Sequence, residues 1–138
     1  MHRIYTFFIQ TTLLLTFLFF SIHLQSQTWH KYNTSNTGTN NSLISNDVYD
    51  VFQDASGKLW FSTVDGVCNF DGTNWDYITT SDGLSENYVT CMLQDSKGNI
   101  WFGTQSKGVS VYDGTNWVFY NTGNSALKRD KVFDIYED

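Results

Sequence analysis

The 138-residue sequence contains no proline, two cysteines and three histidines, and its 14 acidic residues outnumber 8 basic ones. Without proline, the turns must be marked by glycine, aspartate and asparagine. Two cysteines are too few for a disulfide framework, and the spacing of Cys68 and Cys91 fits no zinc motif. The formal net charge of −6 argues against nucleic acid as a partner and against electrostatic binding to a membrane surface.

The sequence also lacks a catalytic constellation. After residue 26 a Ser-His-Asp triad would depend on His30 alone, and a lone histidine is more often a solvent-facing residue than a catalytic one. No glycine-rich phosphate-binding motif and no calcium-binding loop occur. We therefore expect no enzyme activity, no catalytic residues, no metal site and no cofactor, and an enzyme is the poorest of the functional hypotheses below.

Residues 1–26 have the pattern of an export signal. Arg3 supplies a positive end, residues 13–20 form an apolar centre, and small or polar residues follow at 25–27. We expect cleavage after Ser26, which would place residues 27–138 in the periplasm or outside the cell and not in the membrane. The alternative is an uncleaved anchor, but a spanning helix needs about 20 largely apolar residues and polar residues interrupt this segment.

Two copies of one sequence unit follow, at residues 48–78 and 89–120. Asp-x-x-Gly-x-x-Trp occurs at 54–60 and again at 95–101, displaced by 41 positions. Asp-Gly-Thr-Asn occurs at 71–74 and at 113–116, displaced by 42, because one residue is inserted between Thr104 and Val109. A third unit begins at Val132 with Val-Phe-Asp-Ile-Tyr-Glu-Asp.

Each unit contains four short segments rich in Val, Ile, Trp, Phe and Tyr, which predict β-strands. Asp-x-x-Gly predicts a type I turn between the first and second strands, and Asp-Gly a hairpin turn between the third and fourth. Units of roughly 40–45 residues with four strands are typical of β-propeller blades. The predicted fold class is all-β, a partial propeller with strands at Val48–Gln53, Leu59–Thr63, Val67–Phe70 and Trp75–Ile78, then Val89–Gln94, Ile100–Thr104, Val109–Tyr112 and Trp117–Tyr120.

Both ends of the repeat region indicate a larger ring. Residues 29–32 resemble the fourth strand, 117–120, but precede any first strand, and an N-terminal strand often completes the last blade of a propeller. We therefore expect an N-terminal fragment whose domain, 27–138, holds incomplete repeats. Repeat units bury their faces only by stacking, so we expect further blades or self-association as partners. The units are about 47–78, 88–120 and 131–138, with an orphan strand at 29–32.

The second unit carries the pattern of a known family. Gly-Leu precedes its first strand, Asp-x-x-Gly-x-x-Trp-x-Gly-Thr covers residues 95–104, and Gly-Val and Tyr-Asp-Gly follow. This pattern resembles the two-component regulator propeller repeat, and the first unit departs from it with Ser62 and Phe70. The resemblance implies the periplasmic sensor region of a hybrid histidine kinase, often linked to oligosaccharide sensing. The alternative is a secreted or surface scaffold that binds protein or carbohydrate without a kinase.

Candidate ligand-binding residues come from comparing the two units. The Asp-x-x-Gly and Asp-Gly-Thr-Asn turns are nearly constant, whereas the connections at the other end of the strands differ in length and composition. Loops that vary on a constant scaffold often carry binding sites, and ordinary solvated loops are the alternative. Any carbohydrate or other small extracellular ligand is expected to meet Asp65, Ser81, Asp82, Glu86, Asn87, Gln105 or Lys107.

Repeat position also separates core residues from unusual ones. Trp60, Trp75, Trp101 and Trp117 recur at equivalent positions, as blade packing requires, so we expect them in the core rather than on a sugar-binding surface. Asp50 and Asp134 occupy the same repeat position as Cys91. This position lies in the first strand of a blade, the strand that lines the central channel of a propeller. These aspartates would either bind a ligand or ion or accept hydrogen bonds from neighbouring backbone. Cys68 and Cys91 are expected to be buried free thiols.

Overall fold

A computed structural model describes residues 31–34 and 42–138, so the predicted export signal and residues 29–30 of the orphan strand lie outside the described residues. The chain from Tyr32 to Asp138 forms one compact unit. It contains two four-stranded antiparallel sheets, each with its strands in chain order. The strands are β1 (Val48–Gln53), β2 (Leu59–Thr63), β3 (Val67–Phe70) and β4 (Trp75–Ile78) in the first sheet, and β5 (Val89–Gln94), β6 (Ile100–Thr104), β7 (Val109–Tyr112) and β8 (Trp117–Tyr120) in the second.

The predicted all-β class is confirmed, and each of the eight predicted strands begins and ends at the predicted residue. Two features were not predicted. A short 3-10 helix, Thr80–Asp82, follows β4 and is closed by a capping box between Thr79 and Asp82. The register also shifts between Val48 and Asp50 in β1 and at the equivalent place in β5, which indicates a β-bulge at the start of each first strand.

The Asp-x-x-Gly turn forms as predicted, with the Gly98 amide donating to the Asp95 carbonyl at 2.9 Å and the same bond at 54–57. The turn also explains why tryptophan follows at a fixed distance. The indole nitrogen of Trp101 donates to the Asp95 carboxylate at 2.9 Å, and Trp60 bonds to Asp54 at 2.8 Å. The repeated motif is therefore a hydrogen-bonded Asp–Trp pair that ties the turn to the second strand.

The hydrogen bond between Trp101 and Asp95 predicts that the stability of the protein decreases at acidic pH. The hydrogen bond from Trp101, aided by bonds from Asn99 and Lys97, lowers the pKa of Asp95 from 3.8 to about 2. A carboxylate with a depressed folded-state pKa stabilises the fold above its unfolded pKa, and this stabilisation is lost as the pH falls from about 4 towards 2. We expect Asp95→Asn to lower the urea midpoint at pH 7 and to flatten its decrease between pH 4 and pH 2.

The matched control for this prediction is Asp76→Asn, since the Asp76 carboxylate is exposed and lies 3.7 Å from the Lys58 ammonium as a surface ion pair. Surface pairs of this kind contribute little to stability, so the control should keep the parent's pH dependence. An unchanged acid dependence in Asp95→Asn would show that the Asp–Trp bond does not stabilise the folded state.

The hairpin turn between the third and fourth strands of each unit is centred one residue later than the Asp-Gly pair predicted. The Asp113 amide donates to the Asn116 carbonyl at 3.2 Å, so the central residues are Gly114 and Thr115 rather than the Asp-Gly pair. Gly114 has a φ of +96°. The first central position of such a turn takes a positive φ, and glycine is the residue that favours it. The Asp113 carboxylate caps the turn by accepting from the amides of Thr115 and Asn116, and residues 71–74 have the same geometry.

The main core lies between the two sheets. The Trp60 side of the first sheet packs against Met92, Ile100 and Phe102 of the second. Phe102 is completely buried, with its ring centroid 6.2 Å from that of Trp60 and 5.6 Å from that of Trp117. The predicted core role is thus confirmed for Trp60, which is buried, and for Trp117, which packs against the same cluster.

A second cluster covers the opposite side of the first sheet. Phe61, Cys68 and Trp75 are buried there under Leu43 and Tyr32, and the ring centroids of Tyr32 and Trp75 are 5.4 Å apart. Trp75 therefore also has its expected core role. Tyr32 is the last residue of the predicted orphan strand, and it lies on the side of the first sheet that faces away from the second. The orphan strand itself stays a prediction.

Both cysteines are free thiols and both are buried, as expected. Burial raises the pKa of the Cys68 thiol, and it also raises that of Cys91. Both side chains therefore act as small apolar core residues rather than as reactive groups.

Candidate functional site

The strand order fixes which loops share a surface. Because neighbouring strands are antiparallel and in chain order, the connections before each first strand and those between second and third strands lie at one end of the blades. We call this end the variable face, and the described residues that form it are 42–47, 64–66, 79–88, 105–108 and 121–131. The constant turns lie at the other end, as the sequence predicted.

One candidate on the variable face has a structural role that recurs. The Asn87 side-chain oxygen accepts a hydrogen bond from the Thr80 amide at 2.8 Å. Asn46 accepts in the same way from Thr34 at 3.0 Å, and Asp130 from Thr122 at 2.6 Å. The residue two positions before each first strand therefore closes the preceding connection, and Asn87 fills this structural role in the second unit.

Two acidic candidates shape the loops in which they lie. The Asp82 carboxylate accepts hydrogen bonds from the amide and hydroxyl of Thr79, at 2.9 and 3.0 Å. The Glu86 carboxylate accepts from the amide and hydroxyl of Ser106, at 2.7 and 2.8 Å. Glu86 thereby joins the connection between the two sheets to the connection between β6 and β7.

The other loop candidates present free side chains on a fixed backbone. The amides of Asp65 and Lys107 donate to the hydroxyls of Thr63 and Thr104, at 3.1 and 3.0 Å, while both side chains are exposed. The Gln105 amide donates to the Tyr88 carbonyl at 3.0 Å. No described residue forms a hydrogen bond with the side chains of Asp65, Gln105 or Lys107, or with that of Ser81, so these groups are available to a ligand.

Two tyrosines that the sequence analysis did not single out form a pair at the edge of the variable face: Tyr88 lies on this face, and Tyr49 is the second residue of β1. Their ring centroids are 5.0 Å apart, the Tyr88 hydroxyl donates to the Tyr49 hydroxyl, and Tyr49 is 50% exposed. The hydrogen bond with Tyr49 raises the pKa of Tyr88. The sequence contained a signal for this pair. In the following unit Thr90 replaces Tyr49 and Lys131 replaces Tyr88, which indicates that blade packing does not require tyrosine at either position.

The structure assigns a hydrogen-bonding role to Asp50. Its carboxylate accepts from the amide of Val51 at 2.8 Å and from the amide of Met92 in the second sheet at 2.8 Å. Asp134 likewise accepts from the Ile135 amide at 2.9 Å. Both aspartates therefore form the hydrogen bonds to neighbouring backbone that the sequence left open, and a ligand-binding role for either stays a prediction.

Two further kinds of feature, metal sites and membrane-spanning helices, are absent from the described residues. Within residues 31–34 and 42–138, no group of three or more His, Cys, Asp or Glu side chains is placed to hold a metal ion. Among these residues, no helix has the length and apolar character needed to cross a bilayer.

Comparison with solved structures defines the class of fold. A crystal structure of the extracellular domain of a hybrid two component system from B. thetaiotaomicron is similar, with a TM-score of 0.60 and 21% sequence identity over 76% of this chain. The present chain spans 15% of that chain. The sheets are therefore blades of a β-propeller.

The repeats themselves match the model of a known family. The model of the two component regulator propeller matches residues 42–65 and 83–106, which cover the start of each unit through its second strand. Both segments therefore match the two-component regulator propeller repeat, as the Asp-x-x-Gly-x-x-Trp spacing indicated. Comparison with curated proteins gives no match.

Proposed function

We propose that residues 27–138 belong to the non-catalytic sensing region of an exported two-component signalling protein, with its ligand bound on the variable face. The observation that carries this proposal is the match of both repeats to the two-component regulator propeller. The export pattern of residues 1–26 and the extracellular location of the similar structure support a position in the periplasm or outside the cell.

The proposed binding surface centres on the Tyr49–Tyr88 pair. An exposed tyrosine ring offers an apolar face for stacking and a hydroxyl for hydrogen bonding. The backbone amide of Gln105 donates to the Tyr88 carbonyl, and its side-chain amide, which bonds to no described residue, is available to a ligand. A sugar ring combines an apolar face with hydroxyl groups and would match both. Because the chain carries a net charge of −6, we propose a neutral rather than an anionic oligosaccharide.

Binding of neutral oligosaccharides tests this proposal directly. A panel of neutral oligosaccharides is titrated into the exported protein and followed by calorimetry. For an oligosaccharide that binds, we expect Tyr49→Ala to weaken affinity about fivefold or more, since a stacked ring contributes on the order of 1 kcal/mol. Tyr136→Ala is the matched control, because this tyrosine is 83% exposed and lies outside the variable face.

Three outcomes would contradict the proposal. If no oligosaccharide of the panel binds, the ligand class is wrong. If Tyr49→Ala and Tyr136→Ala bind equally well, the tyrosine pair is not the site. If the protein binds another protein through this face but no saccharide, the same blades serve as an interaction scaffold.

Export is tested separately by N-terminal sequencing. When the full chain is expressed in a Gram-negative host, the periplasmic fraction should contain a protein that begins at Gln27. Arg3→Glu should reduce its amount, because the positive end of an export signal is needed for correct insertion, whereas the conservative Arg3→Lys should not. An uncleaved protein retained in the membrane fraction would show that residues 1–26 form an anchor.

A further inference from the structure

The Tyr49–Tyr88 pair holds two phenol rings in direct contact. The ring centroids lie 5.0 Å apart with an angle of 52° between the ring planes, and the Tyr88 hydroxyl donates to the Tyr49 hydroxyl. In a phenol, the ortho carbons neighbour the carbon that carries the hydroxyl. The hydrogen bond between the hydroxyls therefore also brings ortho carbons of the two rings close to each other.

Other tyrosine hydroxyls in the described part of the chain bond to the backbone instead. The Tyr77 hydroxyl donates to the Ser42 carbonyl at 2.7 Å, and the Tyr112 hydroxyl donates to the Gly114 carbonyl at 2.8 Å. A carbonyl partner fixes the side chain but offers no second ring with which a phenol could react. The Tyr49–Tyr88 pair differs because each hydroxyl has another phenol as its neighbour.

The pair is both accessible and fixed in place. Tyr49 is 50% exposed, so an oxidant in the solvent can reach its ring. The Tyr88 carbonyl accepts from the Gln105 amide at 3.0 Å, and the Asp50 carboxylate accepts from the Met92 amide at 2.8 Å. These bonds hold the backbone next to each tyrosine, and groups that are positioned in advance react faster than free ones.

The two sheets are not joined by a disulfide, because both cysteines are buried free thiols. Disulfides are the usual covalent links of exported proteins, since the environment outside the cytoplasm is oxidising. The tyrosines themselves are not required for blade packing, as Thr90 and Lys131 occupy the equivalent positions. The pair therefore offers this chain a different covalent link between its sheets.

We propose that the Tyr49–Tyr88 pair is a site of oxidative cross-linking, at which hydrogen peroxide and a haem peroxidase join the two rings through their ortho carbons. Each hydroxyl loses one electron and one proton, which gives two phenoxyl radicals. The radicals form one carbon–carbon bond, and the hydrogen on each bonded carbon then moves to the oxygen of its own ring. The pair has lost two hydrogen atoms, and hydrogen peroxide takes up the two electrons and two protons to become two molecules of water.

The cross-link braces the interface between the two sheets. Tyr49 lies on β1 and Tyr88 directly precedes β5, so the new bond closes a loop between residues 39 positions apart. A covalent bond across such a loop restricts the unfolded chain and thereby stabilises the fold. The linked protein should therefore unfold at a higher urea concentration. The inference rests on the geometry of the pair and not on the proposed oligosaccharide.

The test treats the purified protein with hydrogen peroxide and a haem peroxidase at low protein concentration. Trypsin cleaves after Lys58, so the two tyrosines fall on different peptides unless they are linked. Mass spectrometry should find these peptides joined, with two hydrogen atoms fewer than their sum, together with dityrosine fluorescence. We expect this linkage to form at least about tenfold faster than coupling between molecules through the exposed Tyr136, because the two rings are already in contact.

Tyr49→Phe and Tyr88→Phe each keep the ring but remove the hydroxyl that forms the radical, so neither variant should give the linked peptides. Tyr136→Phe is the matched control and should link at the parent's rate. Absence of linked peptides in the parent, or equal linkage in Tyr49→Phe, would overturn the proposal. A product whose rate grows with protein concentration would do so too, since it would come from different molecules. Linkage without a change in the urea midpoint would overturn the bracing of the two sheets.

Discussion

Replacing Phe102 by alanine is expected to lower the free energy of unfolding by about 3–5 kcal/mol, the range observed for large aromatic residues removed from cores. Phe102 is completely buried, and its ring contacts a tryptophan of each sheet, Trp60 and Trp117. The cavity left by the ring would lie in the interface between the blades, so both sheets would lose packing together. Urea unfolding followed by tryptophan fluorescence measures this effect.

Phe119→Ala is the matched control for this prediction. Phe119 lies on β8 of the same sheet and also stacks near Trp117, but it is 40% exposed. Its removal should cost no more than about 1 kcal/mol, because an exposed ring loses little contact with the core. If the two variants unfolded at the same urea concentration, the interface between the sheets would not be the main source of stability.

Gly108→Ala is expected to be at least as damaging, with a loss of about 4 kcal/mol or more. Gly108 has φ of +81°, and an added Cβ would lie 2.0 Å from the Tyr120 carbonyl oxygen. The backbone cannot easily move away. The Gly108 amide donates to Asp130, and its carbonyl accepts from both the amide and the hydroxyl of Thr104.

Gly114→Ala separates the steric clash from the backbone strain. Gly114 has a similar φ of +96°, but no atom lies within 4 Å of the added Cβ. Its substitution should cost only the strain of a left-handed alanine, about 1–2 kcal/mol. A comparable loss in both variants would mean that the β6–β7 connection relaxes around the new methyl group, and urea unfolding would reveal this directly.

The strand boundaries were predictable because repetition reinforces each local signal. The Asp-x-x-Gly turn at 54–57 has an equivalent at 95–98, and each marks where one strand ends and the next begins. Buried aromatic and β-branched residues then fill the strands between the turns. Trp60, Trp75 and Trp117 could be assigned to the core for the same reason, since a residue needed for packing in one blade is needed in the next. The equivalent Trp101 is instead partly buried beside an open pocket.

The remaining features depend on contacts that no local pattern records. The bulge in β1 adds a residue without disturbing the apolar pattern, so only the strand register reveals it. The bond from Met92 to Asp50 and the pairing of Tyr49 with Tyr88 join residues of different repeats. Glu86 and Asp82 were identified as ligand candidates because they lie in variable loops, whereas the structure shows that each carboxylate fixes a loop backbone.

The bonds between repeats also set an order for folding during synthesis. The pairs Ala55–Gln94, Asp50–Met92 and Ser96–Glu137 join residues 39, 42 and 41 positions apart. A ribosome that adds roughly 5–20 residues per second needs about 2–8 s to make such a stretch. Each blade therefore waits for several seconds with its turn amides and apolar face exposed until the next repeat emerges, and a chaperone has that interval in which to bind it.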